Sequence, residues 1–335
     1  LYGGCKGNGF IVKGGIIGGY MDRELVDKFK NKVATETLDL FQEVEGLFAA
    51  RDFYLERIGD WYAVKFTSTL GYLPCWKYEP LVRYSFHHKA WETKIGTARF
   101  FTSGCPFFEL ICELRGYTLP MTVTAEDVVL DAGPWNGISG MYFSSVAHKG
   151  KVIFLEPDED SADYLEGQIK TNGLLNAQIV RKALYSRDGE ISFQRRPLGA
   201  SSITESAGDG AVESITLQKL ISEHAPQGID YFKMDIEGAE VDVAEDLAKY
   251  ISENSKSWAA IASYHKIAGE KSYVHLEKCF ARYPDLIFKT VYPYHQTTFV
   301  ANVKNETAVK AIKRVTDFKV GWKAVQRDLK RRGIE

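Results

Sequence analysis

From Asp127 onward the chain alternates short apolar runs with amphipathic stretches, and this alternation limits the fold more than any other feature. The runs Asp127 to Leu130, Lys151 to Leu155, Ala177 to Val180, Ile229 to Met234 and Trp258 to Ala262 are almost unbroken in apolar character. Strands covered on both faces read this way, whereas a half-solvated strand would alternate apolar with polar residues. Between or after them lie helical patterns at Ser161 to Thr171, Leu217 to Glu223, Val241 to Tyr250 and Lys271 to Tyr283. Repeated strand-then-helix predicts an α/β, doubly wound (Rossmann-like), mostly parallel sheet. The last two strand patterns, Leu286 to Tyr292 and Thr297 to Val303, are separated only by Pro293, Tyr294, His295 and Gln296. A connection that short predicts an antiparallel C-terminal hairpin.

Other parts of the chain obey a different grammar. Residues 1–20 hold eight glycines and do not spell a phosphate-binding loop, so they read as a Gly-rich leader. Residues 21–120 read as a mixed α+β accessory domain. Its helical spacing runs from Leu25 to Val33 and Leu38 to Phe48, and its strand patterns are Trp61 to Phe66 and Leu81 to Phe86. Cys105 to Arg115 reads as a helix with Pro106 in its first turn. Residues 121–303 form the α/β domain, and 304–335 a basic helical segment. At 26% charged and 45% hydrophobic, the composition excludes disorder, collagen and coiled coil. The five cysteines include no C-x-x-C pair, which speaks against a disulfide framework or zinc site and for a reducing, cytoplasmic setting.

The chemistry gathers at the carboxyl ends of the predicted strands, where open α/β sheets bind ligands. The first ends in Asp131, Ala132, Gly133, Pro134, Trp135, Asn136 and Gly137. A dinucleotide site requires G-x-G-x-x-G with free amides, but here the glycines are wrongly spaced and Pro134 lacks an N–H. Asp131 would also set a negative charge beside the phosphates. That charge favours the sulfonium and ammonium of S-adenosylmethionine, the expected cofactor. Glu156, followed by Pro157 at the end of the second strand, can accept both ribose hydroxyl protons. Ala183 and Leu184, after the third, could pack on the adenine. Asp235 closes the fourth and Glu237 opens the next helix, and a carboxylate ending a buried strand over the crevice reads as a site residue. The competing reading of Glu237 and Glu240 is acidic first-turn residues favoured by the helix dipole.

Asp131-x-Gly133-x-x-x-Gly137, Glu156-Pro157, Ala200-Ser201-Ser202-Ile203 and Lys233-x-Asp235-x-Glu237-Gly238 together resemble the FkbM-type S-adenosylmethionine-dependent methyltransferases, whose sheet is the class I methyltransferase variant of the doubly wound fold. The likeness covers about residues 127–303. It implies O-methylation of a sugar, glycolipid or polyketide-like hydroxyl. Asp131, Gly133 and Glu156 would then contact the cofactor, and Asp235 and Glu237 would lie near its methionine end or the acceptor. Pro134-Trp135 replaces the smaller residues usual there, and Trp135 could line the sulfonium by a cation–π contact.

A hydroxyl acceptor needs a base, and His265, after the fifth strand, is expected to serve, with Asp235 orienting it or acting itself. The competing reading is a rim histidine bonded to a loop carbonyl. Asp235, Glu237, His265 and His295 include the ligand types for a divalent metal, but no spacing among them is diagnostic, and no metal is expected. The alternatives to O-methylation are nucleic-acid (RNA) methylation and a noncatalytic cofactor-binding scaffold. The formal charge of -2 conceals a division, because residues 304–335 carry ten Lys/Arg against four Asp/Glu. Such a segment can meet an anionic acceptor or surface, though Lys and Arg solvating helix faces is the simpler reading. The expected partner is a small-molecule or glycan acceptor. Aromatic residues of 61–91 are candidates to stack on it, with filling of a core as the competing role.

Overall fold

The computed structural model describes residues 53–66, 80–85, 87–104, 106, 109–118, 120–195, 201–203, 210–291 and 296–315. The Gly-rich leader, the helices expected within 21–48, Ala200, His295 and the tail beyond 315 lie outside these residues. The chain divides into two compact units, and the second runs Phe107–Lys319.

In the first unit, β1 (Phe53–Ile58), β2 (Trp61–Phe66), β3 (Leu81–Ser85), β4 (Ala90–Ile95) and β5 (Ala98–Thr102) form an antiparallel meander in chain order. Val82, Trp91 and Phe100 fill its core. Trp61 carries Arg83 and Lys94 over its ring, each 4.3 Å from the centroid. Both of these aromatic residues are thus engaged within the protein, Trp91 by burial and Trp61 by cations. Glu92 is buried between Arg83 and Arg99, at 2.6 and 2.5 Å. Burial pushes its pKa up, but the two guanidinium groups outweigh that and hold it below the ordinary value.

The second unit opens with a helical segment, Glu109–Leu114 wound wide and Arg115–Tyr117 continuing as α-helix. Pro106 therefore lies ahead of the described helix rather than in its first turn. The unit begins at 107 rather than 121, and this segment supplies two side chains to the site described below.

The main sheet comprises β6 (Val128–Ala132), β7 (Lys151–Leu155), β8 (Ala177–Val180), β13 (Tyr231–Met234), β14 (Trp258–Ala262), β17 (Leu286–Val291) and β18 (Thr297–Asn302). Their spatial order is β17-β18-β14-β13-β6-β7-β8. The pairs from β8 through β14 are parallel, while β18 runs antiparallel to both β14 and β17. Every residue of β6, β13 and β14 is buried, which is why their sequences read as apolar runs broken only by Asp131 and Lys233. The helices α1 (Ile138–Val146), α2 (Glu159–Asn172), α3 (Leu217–His224), α4 (Ala244–Glu253) and α5 (Ser272–Phe280) accompany the sheet. Asp158 caps α2 and Thr216 caps α3 through side-chain oxygens. Asn305 caps the following helix by accepting from the Ala308 N–H at 3.0 Å.

A four-stranded sheet that the periodicity does not reveal is inserted between β8 and α3. It contains β9 (Ala183–Leu184), β10 (Gly189–Gln194), β11 (Ser202–Ile203) and β12 (Gly210–Ile215), in the order β11-β10-β12-β9. Ala183 and Leu184 are 5% and 2% exposed and belong to the cores around them. The two residues expected beside the adenine are thus part of the packed core.

Candidate active site

The strand order reverses between β6 and β13, and in an open α/β sheet the crevice forms beyond the carboxyl ends at that point. The turn after β6 runs through Gly133, Trp135 and Gly137 with φ of +70°, +48° and +82°. Glycine at 133 is required twice over. Its φ is left-handed, and a Cβ there would lie 1.8 Å from the Asp235 carbonyl oxygen. The β6 turn and the end of β13 therefore touch backbone to backbone. Trp135 holds a positive φ without a glycine's freedom, a conformation that costs energy and occurs most at functional sites.

The predicted cofactor residues divide by what they touch. Asp131 is fully buried, pairs with Lys233 Nζ at 3.1 Å and accepts from the Ser139 hydroxyl at 2.6 Å. Lys233 also donates to the Gly133 carbonyl. The charge of Asp131 is therefore neutralised inside the protein, which corrects the argument that its sign selects a sulfonium. Asn136 is likewise engaged, donating to Glu109 and accepting from the Ile138 N–H at 3.4 Å. Pro134 contributes its carbonyl, which accepts from the Gly137 N–H at 2.8 Å and closes the turn.

Glu156 ends β7 at 8% exposure, and its Oε1 accepts from the Asp158 N–H at 3.0 Å. Pro157 follows it, half-buried. Burial pushes the Glu156 pKa up to about 7. Two donor hydroxyls would stabilise the ionised form, and a ribose presents such a pair. Together with a glycine turn too tight to admit a Cβ, Glu156 fits the nucleoside cofactor.

Beside the turn, Asp235 forms the centre of a second cluster. Tyr117 donates its hydroxyl to Asp235 Oδ2 at 2.7 Å, and the Tyr264 hydroxyl stands 3.2 and 3.3 Å from the two oxygens. His265 Nε2 lies 3.5 Å from both Asp235 Oδ1 and Glu237 Oε2, and its Nδ1 lies 3.4 Å from Glu240 Oε1. Burial alone would push the imidazole pKa down, but Glu240, Asp235 and Glu237 outweigh it and raise it to about 9. The histidine expected to act as general base thus sits among three carboxylates. Glu240 receives the N–H groups of Ile236 at 2.7 Å and Gly238 at 2.8 Å, so it holds the loop as well as facing His265.

Residues 133–283 match the methyltransferase FkbM domain, from the glycine turn through the end of α5. This part of the chain is an FkbM domain. The enzyme is a methyltransferase that uses S-adenosylmethionine. No curated protein has a sequence matching the chain. Among solved structures it is similar to the fibrillarin pre-rRNA processing protein of Methanococcus jannaschii, at 13% identity and a TM-score of 0.41, covering 75% of this chain and 98% of that one. A second is Aeropyrum pernix fibrillarin with natively bound S-adenosyl-L-methionine, at 10% identity and 0.39, covering 75% and 99%. A third is the O-methyltransferase TomG of Streptomyces achromogenes, at 12% identity and 0.37, covering 59% and 80%.

Two participants in the FkbM domain's site carry no motif. Glu109 is 2% exposed and Tyr117 is fully buried, and both come from the segment ahead of the first strand. Their one sequence signal is polarity within an apolar helical pattern. Lys233 could have been suspected on the same ground, as a charge inside a buried strand. Among the described residues, no helix is long and apolar enough to cross a membrane.

Proposed function

We propose that the enzyme methylates a hydroxyl oxygen of a small molecule or glycan, such as a sugar, glycolipid or polyketide-like compound, with Asp235 as general base. The observation that carries this reading is the Asp235 carboxylate, held by two tyrosine hydroxyls next to the glycine turn. A hydroxyl is a poor nucleophile until its proton is accepted as the new bond forms. S-adenosylmethionine supplies an activated methyl group, its sulfur–carbon bond breaking with the electron pair left on sulfur. Glu156 would hold the ribose, and the turn from Gly133 to Gly137 the methionine portion. Asp235 takes the acceptor proton as the oxygen–carbon bond forms. Tyr117 and Tyr264 orient the carboxylate, so that its alignment does not have to be found during the reaction. His265 stands beside this carboxylate and also faces Glu237 and Glu240.

The test is a labelled-methyl transfer screen of the full chain over pooled glycans, glycolipids, polyketides and RNA. Label in an ether on a glycan or small molecule supports the proposal, and Asp235→Asn should lower that turnover at least about 100-fold, the usual worth of a general base. S-adenosylhomocysteine binding should persist in the variant. Label confined to RNA, or full turnover by Asp235→Asn, would overturn the reading.

A further inference from the structure

His265 has a buried side chain, 8% exposed, and neither ring nitrogen makes a hydrogen bond of good geometry. Three carboxylates nevertheless converge on it at 3.4–3.5 Å. Those separations are long for hydrogen bonds to an ionised carboxylate. The two at Nε2, 3.5 Å each, suit ligand atoms that share an ion. Two bonds of about 2.1 Å meeting at a roughly tetrahedral angle place the ligand atoms about 3.4 Å apart. One atom from each of Asp235, Glu237 and His265 falls within 4.8 Å of the others.

We propose that Asp235 Oδ1, Glu237 Oε2 and His265 Nε2 form a binding site for one divalent transition-metal ion. Three further features support it. Glu240 faces Nδ1, the other ring nitrogen, from 3.4 Å. A carboxylate behind the imidazole is the usual device for directing the opposite nitrogen at a metal. Glu237 adopts a left-handed φ of +56°, a conformation unusual outside glycine and found mostly at functional sites. Finally, one nitrogen and two oxygens suit a first-row transition ion such as Zn²⁺ or Mn²⁺ better than Ca²⁺ or Mg²⁺, which favour all-oxygen shells. The spacing 235, 237 and 265 matches no metal motif, so the sequence led to the opposite expectation.

The inference deepens the O-methylation reading and rests on it for the ion's use, though not for its binding. Three protein ligands leave positions open for the acceptor oxygen. The ion would hold that oxygen beside Asp235, whose Oδ2 takes the proton as the O–H bond breaks.

The full chain, stripped with a chelator and dialysed, is titrated with Mn²⁺ while the free-ion paramagnetic resonance signal is followed, and with Zn²⁺ by calorimetry. One ion should bind per chain. Glu237→Gln and His265→Gln should each weaken binding at least about tenfold while retaining the wild-type thermal midpoint to within a few degrees. Using both variants guards against one that fails to fold. Absence of binding by either ion, or unchanged affinity in both folded variants, would overturn the site. Transfer to a hydroxyl by chelated enzyme that still depends on Asp235 would overturn the ion's use and leave O-methylation standing. A bound ion with label found only on RNA would do the reverse.

Discussion

Replacing Lys233 with methionine tests how the two halves of the switch point are held together. The substitution keeps most of the side-chain volume but deletes the cation that the structure sets against Asp131, which is fully buried at 3.1 Å from Nζ. The pair itself need not be strongly stabilising, since desolvation offsets most of its attraction. Breaking it is another matter. Asp131 would keep the Ser139 hydroxyl but lose its counter-ion, and the Gly133 carbonyl would lose its Lys233 donor. An uncompensated buried charge costs about 3–5 kcal/mol. For a unit of this size each kcal/mol lowers the thermal midpoint by about 2–4 °C, so the expected drop is roughly 6–20 °C. Circular dichroism at pH 7 would read it. Adding Asp131→Asn to Lys233→Met should restore most of the loss, because an amide leaves no buried charge. A single variant within about 1 kcal/mol of wild type, or a double variant no better than the single, would refute the reasoning.

The remaining predictions concern the site and its supports. Burial pushes the Glu109 pKa up to about 8, so the folded protein holds a proton there that the unfolded chain has already lost. Its contribution is complete below the ordinary carboxylate pKa and fades as pH rises through about 8. Glu109→Gln should therefore flatten the pH dependence of stability by up to about 1.4 kcal/mol per pH unit in that window; an unchanged slope in urea unfolding would contradict it. Gly133→Ala meets both a left-handed φ and the Asp235 backbone. It should lose at least about 1–2 kcal/mol and weaken S-adenosylhomocysteine binding, and a variant normal in both respects would show that the turn is not confined. Asp235→Asn, Glu237→Gln and His265→Gln complete the set with the outcomes stated above.

How much of this was legible in the sequence depends on the range over which each feature is determined. Lys151 to Leu155 and Trp258 to Ala262 coincide with observed strands because burial on both faces leaves a nearly continuous apolar run in the sequence itself, and Ala177 to Val180 coincides with the edge strand β8, of which only Val180 is fully buried. The caps at Asp158 and Asn305 are local too, each joining a side chain to an amide three residues on. The inserted sheet was not legible, since β9 and β11 are only two residues long and the six-residue β10 and β12 each begin with two exposed residues, the first a glycine.

Site residues divide in the same way. That Asp131, Glu156 and Asp235 stand at or just beyond strand ends follows from the run of residues before them. Which of them faces a ligand does not. Asp131 meets Lys233 across about a hundred positions because β6 and β13 pair in parallel, with Lys233 opposite Asp131 in register. His265 meets Asp235 because β14 lies beside β13 and ends at the same edge of the sheet. Periodicity and strand-end chemistry thus determined the kind of fold and the edge at which chemistry would occur. Strand order, set by packing over the whole sheet, decided that one carboxylate is neutralised inside and that three others surround a histidine.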